Sequence, residues 1–288
     1  MVGHQFLQSL ADSGQLESFD VTVFCEESRL AYDRVQLSAY FSGSTAEDLA
    51  MGNADTYRSW GLNVLTGEKV TMIDRGYKSV TTDKGRELSY DKLILATGSY
   101  PFVPPVPGHD RSQCLVYRTI DDLEAIAEAA KNSKVGTVVG GGLLGLEAAK
   151  ALKDLGLETH VVEFAPRLMA VQLDNGGGAI LRQKIEALGV TVHTEKNTHL
   201  IDDGEQCFHK MNFADGEVLE TDLILFSAGI RPRDELARQS ELDVGERGGI
   251  VINNNCQTSD PSIYAIGECA LWNKQIFGLV APGNQMAK

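Results

Sequence analysis

Gly140, Gly142 and Gly145, with Leu143 and Leu144 before the last of them, stand at the spacing of a dinucleotide-binding loop. In such a loop the first glycine permits a tight turn, the second lets backbone amides approach a pyrophosphate, and the third lets helix and strand pack closely. The phosphates then meet the unpaired N–H groups and positive dipole end of the following helix. Glycine spacing alone is weak, since the same pattern is more often an ordinary turn. Here its surroundings agree with it. An apolar run (Val135, Thr137 to Val139) precedes the loop, Ala148, Ala149, Leu152 and Leu155 supply one helical face after it, and Gly156 stops that helix. Thr159 to Val162 then returns as a strand ending at Glu163, 23 positions beyond Gly140. A carboxylate there accepts hydrogen bonds from ribose hydroxyls and repels a 2'-phosphate, which favours NADH over NADPH. Arg167, four residues on, is a cation that could answer such a phosphate; its plainer reading is a solvated side chain.

These elements make a strand–helix–strand unit, and the chain uses the plan twice. Val21 to Phe24 ends at Glu26 much as Thr159 to Val162 ends at Glu163, and Tyr90 to Gly98 matches Thr221 to Gly229 position for position. The segment Phe213 to Val218 predicts a hairpin turned at Asp215-Gly216, and Leu223 to Phe226 predicts a buried strand. A third such ending, Ile263 to Glu268, follows the second unit and returns to the first. The expected fold is α/β, with two Rossmann-like domains carrying three-stranded β meanders, the second inserted into the first. The expected boundaries are residues 1–106 and 228–288 for the outer domain and 107–227 for the inner one. Gly176 to Gly178 has no strand before it and reads as a flexible entry to a helix around Ile180 to Leu188.

The 288 residues suffice for about two domains, and 43% hydrophobic with 23% charged residues describes a chain able to bury a core. The formal charge of -14, with no basic run, argues against nucleic acid and for small-molecule ligands. No segment approaches the length of a membrane span and Met1 to Leu10 lacks signal-peptide character, so a cytoplasmic location is expected, with no membrane partner. The five cysteines (Cys25, Cys114, Cys207, Cys256, Cys269) are scattered and read as reduced, mostly buried thiols, with no metal site.

Further marks are Ala96-Thr-Gly98 with Pro101 and Pro104 to Gly108 behind it, Ala228 to Pro232, and Thr258 to Glu268. With the Gly140 loop, they make the chain resemble the two-dinucleotide-domain flavoprotein reductases, the FAD- and NAD(P)-dependent relatives of the pyridine nucleotide-disulfide oxidoreductases. Met1-Val-Gly-His4, Ala31 to Phe41, Gln172 to Gly178 and Gly278 to Gly283 look most like the flavin part of NADH-dependent nitrite reductases. The resemblance implies FAD on the first domain, with Glu26 on its adenosine ribose and Val70 meeting the adenine through its backbone. It further implies Arg34, Ala96, Thr97 and Gly98 near the flavin nucleotide, Gly267 and Glu268 at its ribityl chain and pyrophosphate, and Gly3 as the last glycine of its motif. NADH would lie on the second domain, with Glu147 and Gly229 near the nicotinamide. No residue is expected to act as catalytic acid or base, because the cofactors carry the hydride chemistry.

Against that family pattern the chain begins inside the first glycine motif, so the FAD sheet is expected to lack a central strand and the flavin pyrophosphate much of its amide cradle. A helix is expected to start only near Lys288. Ser42 stands where some relatives carry a redox cysteine, and a serine cannot form that thiolate. Electrons would then pass to another redox centre, either a downstream domain with siroheme and an iron–sulfur cluster or a separate acceptor protein. The leading expectation is hydride transfer from NADH to FAD feeding nitrite reduction. The alternatives are a stand-alone ferredoxin or rubredoxin reductase or NADH oxidase, and a non-catalytic nucleotide-binding redox module. Homo-oligomerisation is left open.

Overall fold

A computed structural model describes residues 1–288. The chain divides into two compact units: residues 1–35, 47–100 and 231–288 form one, and 36–46 with 101–230 form the other. The divisions fall at 100/101 and 230/231, where the sequence reading set 106/107 and 227/228, and the short segment 36–46 goes with the second unit.

The second unit is built on a five-stranded parallel sheet in the order Val190–His193, Glu158–Val162, Val135–Val139, Leu223–Phe226, Cys114–Val116. Strands covered on both faces need continuous apolar runs, and Leu223–Phe226 is buried at every position. The helix Leu143–Asp154 turns Ala148, Ala149 and Leu152 inward, and Gly156, at φ +85°, ends it as expected. Gly136 permits the close approach of this helix: a Cβ there would stand 2.9 Å from Leu152 and from Leu157. The helix Ile120–Ala130 starts from a capping box between Thr119 and Asp122.

An antiparallel meander, Thr198–Asp203, His209–Phe213 and Val218–Thr221, covers one face of the sheet. Ile201, Met211 and Phe213 pack there against Val162, Ile224 and Phe226. Each such fully buried side chain contributes about 1.5–3 kcal/mol. The turn at Asp215-Gly216 closes as read, with the Gly216 N–H donating to the Phe213 carbonyl at φ +89°.

Gly176 to Gly178 is not a flexible entry. The helix runs Asn175–Ala187, and the glycines fill its first turn because the Asp174 carboxylate caps it through the Gly177 N–H at 2.8 Å.

In the first unit the parallel strands form three separate pairs, Thr22–Cys25 with Asn63–Thr66, Leu93–Leu95 with Ile263–Ala265, and Ile250–Ile252 with Ala270–Trp272. A meander of Val70–Asp74, Ser79–Thr82 and Glu87–Ser89 accompanies them. The core gathers Ile73, Val80, Leu95, Ile250, Ile263, Ala265 and Cys269. Arg75 ties it from outside, donating to Asp260 at 2.9 Å and to the Ser240 and Glu241 carbonyls. A helix expected only near Lys288 starts earlier, at Val280–Met286. Pro282 sits in its first turn, where the missing N–H has no intrahelical partner to lose. No helix is long and apolar enough to cross a membrane.

Candidate functional site

Each loop glycine in the second unit answers a different constraint. Gly140 has φ +121°, and a Cβ on it would stand 2.3 Å from the Ser227 carbonyl oxygen. A Cβ on Gly145 would stand 1.9 Å from the Gly140 carbonyl oxygen. Gly142 differs from both: it is the N-cap of Leu143–Asp154, has no side-chain cap, and faces open space with nothing within 4 Å. The first helical bond runs from the Leu146 N–H to the Gly142 carbonyl, so the amides before it have no partner inside the helix. Leu143 is exposed and Leu144 half-buried at that end.

Glu163 is aimed at this loop. One carboxylate oxygen accepts the Gly141 N–H at 2.6 Å and the other accepts the Ala165 N–H at 2.7 Å. A carboxylate oxygen takes more than one hydrogen bond, so each keeps capacity for a ribose hydroxyl. A cavity of about 570 Å³ opens beside it, lined by Gly140, Gly142, Glu163, Phe164, Ser227 and Gly229 among others. Its apolar wall includes Pro104, Val106, Val139 and Phe226.

Two lining hydroxyls escaped the sequence reading. Ser227 is only 8% exposed, and neither its Oγ nor the Thr198 Oγ1 has a hydrogen-bond partner. An unmet buried hydroxyl costs about 1–3 kcal/mol, so either would gain from a polar partner in the cavity. One sequence signal pointed to Ser227: in the repeated segment it stands at the position of Ala96, which the resemblance had placed near a nucleotide.

Arg167 follows neither sequence reading. It is not a solvated side chain and does not await a phosphate: Nε donates to the Leu173 carbonyl at 2.8 Å, Nη1 to Asn175 Oδ1 at 3.0 Å and Nη2 to the Ala170 carbonyl at 3.2 Å. Glu147 is half-buried, and burial pushes its carboxyl above the ordinary value. Tyr117 is fully buried, and burial together with the charge of Glu147 pushes its phenol up. Gly229 has φ +110° with open space before it.

In the first unit, Glu26 follows its strand but is already paired. Lys69 Nζ lies 3.0 Å from it and Arg233 donates to its other oxygen. Burial works against ionisation, but the Lys69 hydrogen bond and the charges of Arg233 and Lys69 outweigh it and hold the carboxyl below its ordinary value. Arg34 pairs with Glu27 and lies 4.8 Å over the Tyr32 ring. Val70 opens its strand half-buried.

The Thr97 hydroxyl donates to the Arg233 carbonyl, and Gly98, at φ +69°, accepts the Arg233 N–H. Gly3 sits in the first turn of Val2–Asp12, where a Cβ would touch Ala96 at 3.4 Å. Gly267 has φ +80° under the Val2 side chain, and Glu268 accepts the Ser99 hydroxyl at 2.6 Å. The structure thus brings Gly3 to Ala96, and Glu26 to the residue that binds Thr97 and Gly98, whereas Arg34 turns to Glu27.

All five cysteines are free. Only Cys269 is buried and the other four are half-buried, which corrects the expectation of mostly buried thiols. Burial raises every thiol, Cys114 and Cys207 to about 11. Ser42 donates to Asp154 at 3.3 Å.

A fold of this kind with an open glycine loop defines a dinucleotide-binding oxidoreductase class, and comparison with known proteins gives the family. Residues 3–287 match the pyridine nucleotide-disulphide oxidoreductase family, and the chain belongs to it. The chain is 60% identical over its whole length to the nitrite reductase (NADH) large subunit of Escherichia coli K12, of which it covers 34%. It is 58% identical to the nitrite reductase [NAD(P)H] large subunit of Klebsiella oxytoca, of which it covers 30%. The chain therefore spans about a third of the length of these relatives. Among solved structures, it superposes with a TM-score of 0.93 on the ferredoxin reductase for the CYP199A2 system from Rhodopseudomonas palustris. The two are 26% identical, and the match covers 99% of this chain and 72% of the other.

Family membership implies FAD and NAD(P)H. The open space before Gly142 and the unpartnered Ser227 hydroxyl fit a dinucleotide in the second unit. In the first, the start of Val2–Asp12 has no side-chain cap, and its leading N–H groups lack intrahelical partners, which fits an anionic group such as a flavin pyrophosphate.

Proposed function

We propose that this chain is an NADH-dependent flavoprotein reductase module that passes a hydride from NADH to FAD and feeds electrons to nitrite reduction within a longer enzyme. The observation that carries the nucleotide half is Glu163, held by two backbone N–H groups beside the open loop. The likeness to the two nitrite reductase large subunits supports the nitrite half.

The amides after Gly142 hold the pyrophosphate, and the Ser227 and Thr198 hydroxyls supply polar contacts in the cavity wall. Glu163 holds the adenosine ribose diol and repels a 2'-phosphate. Pro104, Val106 and Phe226 keep water out, and Glu147 and Gly229 lie towards the nicotinamide. Glu26, Ala96 to Gly98, Gly267 and Glu268 hold FAD, with Gly3, Arg34 and Val70 beside them. FAD when bound supplies the hydride acceptor and can release electrons singly. Siroheme and an iron–sulfur cluster belong to the downstream region of the longer enzyme. A cytoplasmic setting goes with this reading.

Titration of the flavin-loaded protein with NADH and NADPH tests the proposal: NADH should bind more tightly and bleach the flavin. A preference for NADPH, or binding without bleaching, would overturn it. The likeness to a ferredoxin reductase, which this chain covers at 72%, favours a second reading in which a separate iron–sulfur protein takes the electrons. Nitrite-dependent NADH oxidation by the product of the complete reading frame separates the two.

A further inference from the structure

We propose that Arg167 is a positioning residue for dinucleotide binding, acting through Gly141 on the Gly142 amide that faces the pyrophosphate. This rests on the reading of the second unit as an NADH site. The guanidinium has every nitrogen engaged, to the carbonyls of Ala170 and Leu173 and the side chain of Asn175. It therefore gathers the segment from residue 167 to 175 into one folded loop. The site of contact is built to admit it: a Cβ on Gly178 would stand 2.9 Å from Arg167 Cδ and 3.0 Å from its Cβ.

The loop so held reaches the glycine motif at two points. Leu168 is fully buried and comes within 2.6 Å of where a Gly141 Cβ would be, and the Met169 N–H donates to the Gly141 carbonyl at 2.9 Å. From the other side, the Gly141 N–H donates to Glu163. Gly141 is thus pinned at both of its backbone polar groups.

The consequence follows from the planar trans peptide, in which a carbonyl and the next residue's N–H point in opposite directions. Fixing the Gly141 carbonyl on Met169 fixes the Gly142 N–H away from Met169. A Cβ on Gly142 would meet nothing within 4 Å, so the turn has room for a phosphate there, and the direction of its amide is set before one binds. Arg167 touches no nucleotide. It removes the freedom that the 140–142 turn would otherwise lose on binding.

The test uses Arg167→Lys, which keeps the charge and much of the stem but cannot make a planar three-way fork, and Asn175→Ala as a milder change. Because the pyrophosphate is common to both cofactors, Arg167→Lys should raise the dissociation constants of NADH and NADPH by the same factor, about tenfold, the worth of one hydrogen bond. Asn175→Ala should cost about threefold. In the cofactor-free proteins, hydrogen exchange at the Met169 amide should speed up in both variants, while amides of the 223–226 strand stay protected. That readout survives even where binding is too weak to measure.

Unchanged affinities in both variants, or unchanged exchange at Met169, would overturn the role. So would a loss confined to NADH, which would mean that Arg167 acts on the ribose end. Failure of the unsubstituted protein to bind either nucleotide would sink the parent reading together with this one.

Discussion

Glu163 and Glu26 stand at matching places, each just past a parallel strand, yet they meet different company. Glu163 is held only by backbone N–H groups, which leave its oxygens capacity for another donor. Glu26 is held by two cations, Lys69 and Arg233. The glycines repeat the contrast, since Gly142 faces open space whereas Gly267 lies under Val2. The difference teaches that a site is ready for its nucleotide when its acceptors are oriented by the backbone. A site whose acceptors are paired to charged side chains has them oriented by ion pairs, which a nucleotide must share.

The strongest way to break the comparison is at the glycines. Gly145→Val is expected to abolish NADH binding and lower the melting temperature, because the new Cβ would stand 1.9 Å from a backbone carbonyl that cannot move aside. Overpacking of this kind costs about 1–3 kcal/mol or more. Gly3→Ala meets only an ordinary 3.4 Å contact with Ala96 and should leave stability nearly unchanged. Thermal melting with an NADH titration decides both, and equal effects would erase the distinction drawn between the units.

Substitution at the two carboxylates sharpens it. Glu163→Ala removes the acceptor of two N–H groups as well as the proposed ribose contact, and a hydrogen bond to a charged group is worth about 1.5–3 kcal/mol. NADH should bind at least about tenfold more weakly, NADPH less so. Glu26→Ala should leave NADH affinity unchanged and alter stability by about 0–1 kcal/mol, as for exposed ion pairs. Parallel titrations of both cofactors check this.

The glycine loop was legible in the sequence because its constraint is local: a carbonyl five residues back excludes a side chain at Gly145, and spacing alone encodes that. The strand Leu223–Phe226 was legible because burial on both faces demands an unbroken apolar run, and Val135–Val139 because its β-branched residues lead straight into the glycine loop. Arg167 was not, since its partners are mostly backbone carbonyls whose positions depend on how the loop folds. Gly178 misled for the same reason: its cause is the Arg167 stem, eleven residues away in the chain. Ser227 faces the cavity because its strand lies beside 135–139, a tertiary fact.

Acid should separate the units by a smaller margin. His160, His193 and His209 in the second unit all have their ring pKa lowered from 6.5, chiefly by burial. His160 stacks on His193 with facing nitrogens at 3.0 Å, Glu158 lies 3.4 Å from its other nitrogen, and Lys196, Arg182 and Glu217 surround His193. The unfolded chain takes up these protons before the folded one does, so stability present above about pH 6.5 is lost as pH falls towards the depressed values. The first unit has one such histidine, His4, while its paired Glu26 and Asp260 are shifted below 4.5 and 3.8 and lose their contribution only in stronger acid. Hydrogen exchange followed from about pH 7 to 5 should open the 158–162 strand more than the 93–95 strand. Equal loosening would count against the histidine account.

The smallest effect is expected from sulfur, and there the two units should behave alike. A thiol reacts as its thiolate, so a raised pKa slows attack on an alkylating reagent. Cys114 and Cys207, at about 11, belong to the second unit. Cys25, Cys256 and Cys269, also raised by burial, belong to the first. Ser42, which the resemblance sets where some relatives carry a redox thiol, has its hydroxyl engaged with Asp154. Near neutral pH, alkylation should therefore be slow at every cysteine, and protein treated with iodoacetamide should keep its NADH affinity and its electron transfer to an added dye. Mass spectrometry identifies which residues react. Rapid modification of Cys25 or Cys269 with matching loss of flavin reduction would show that a first-unit thiol takes part in electron flow. It would also mean that the serine at position 42 does not settle where the electrons leave.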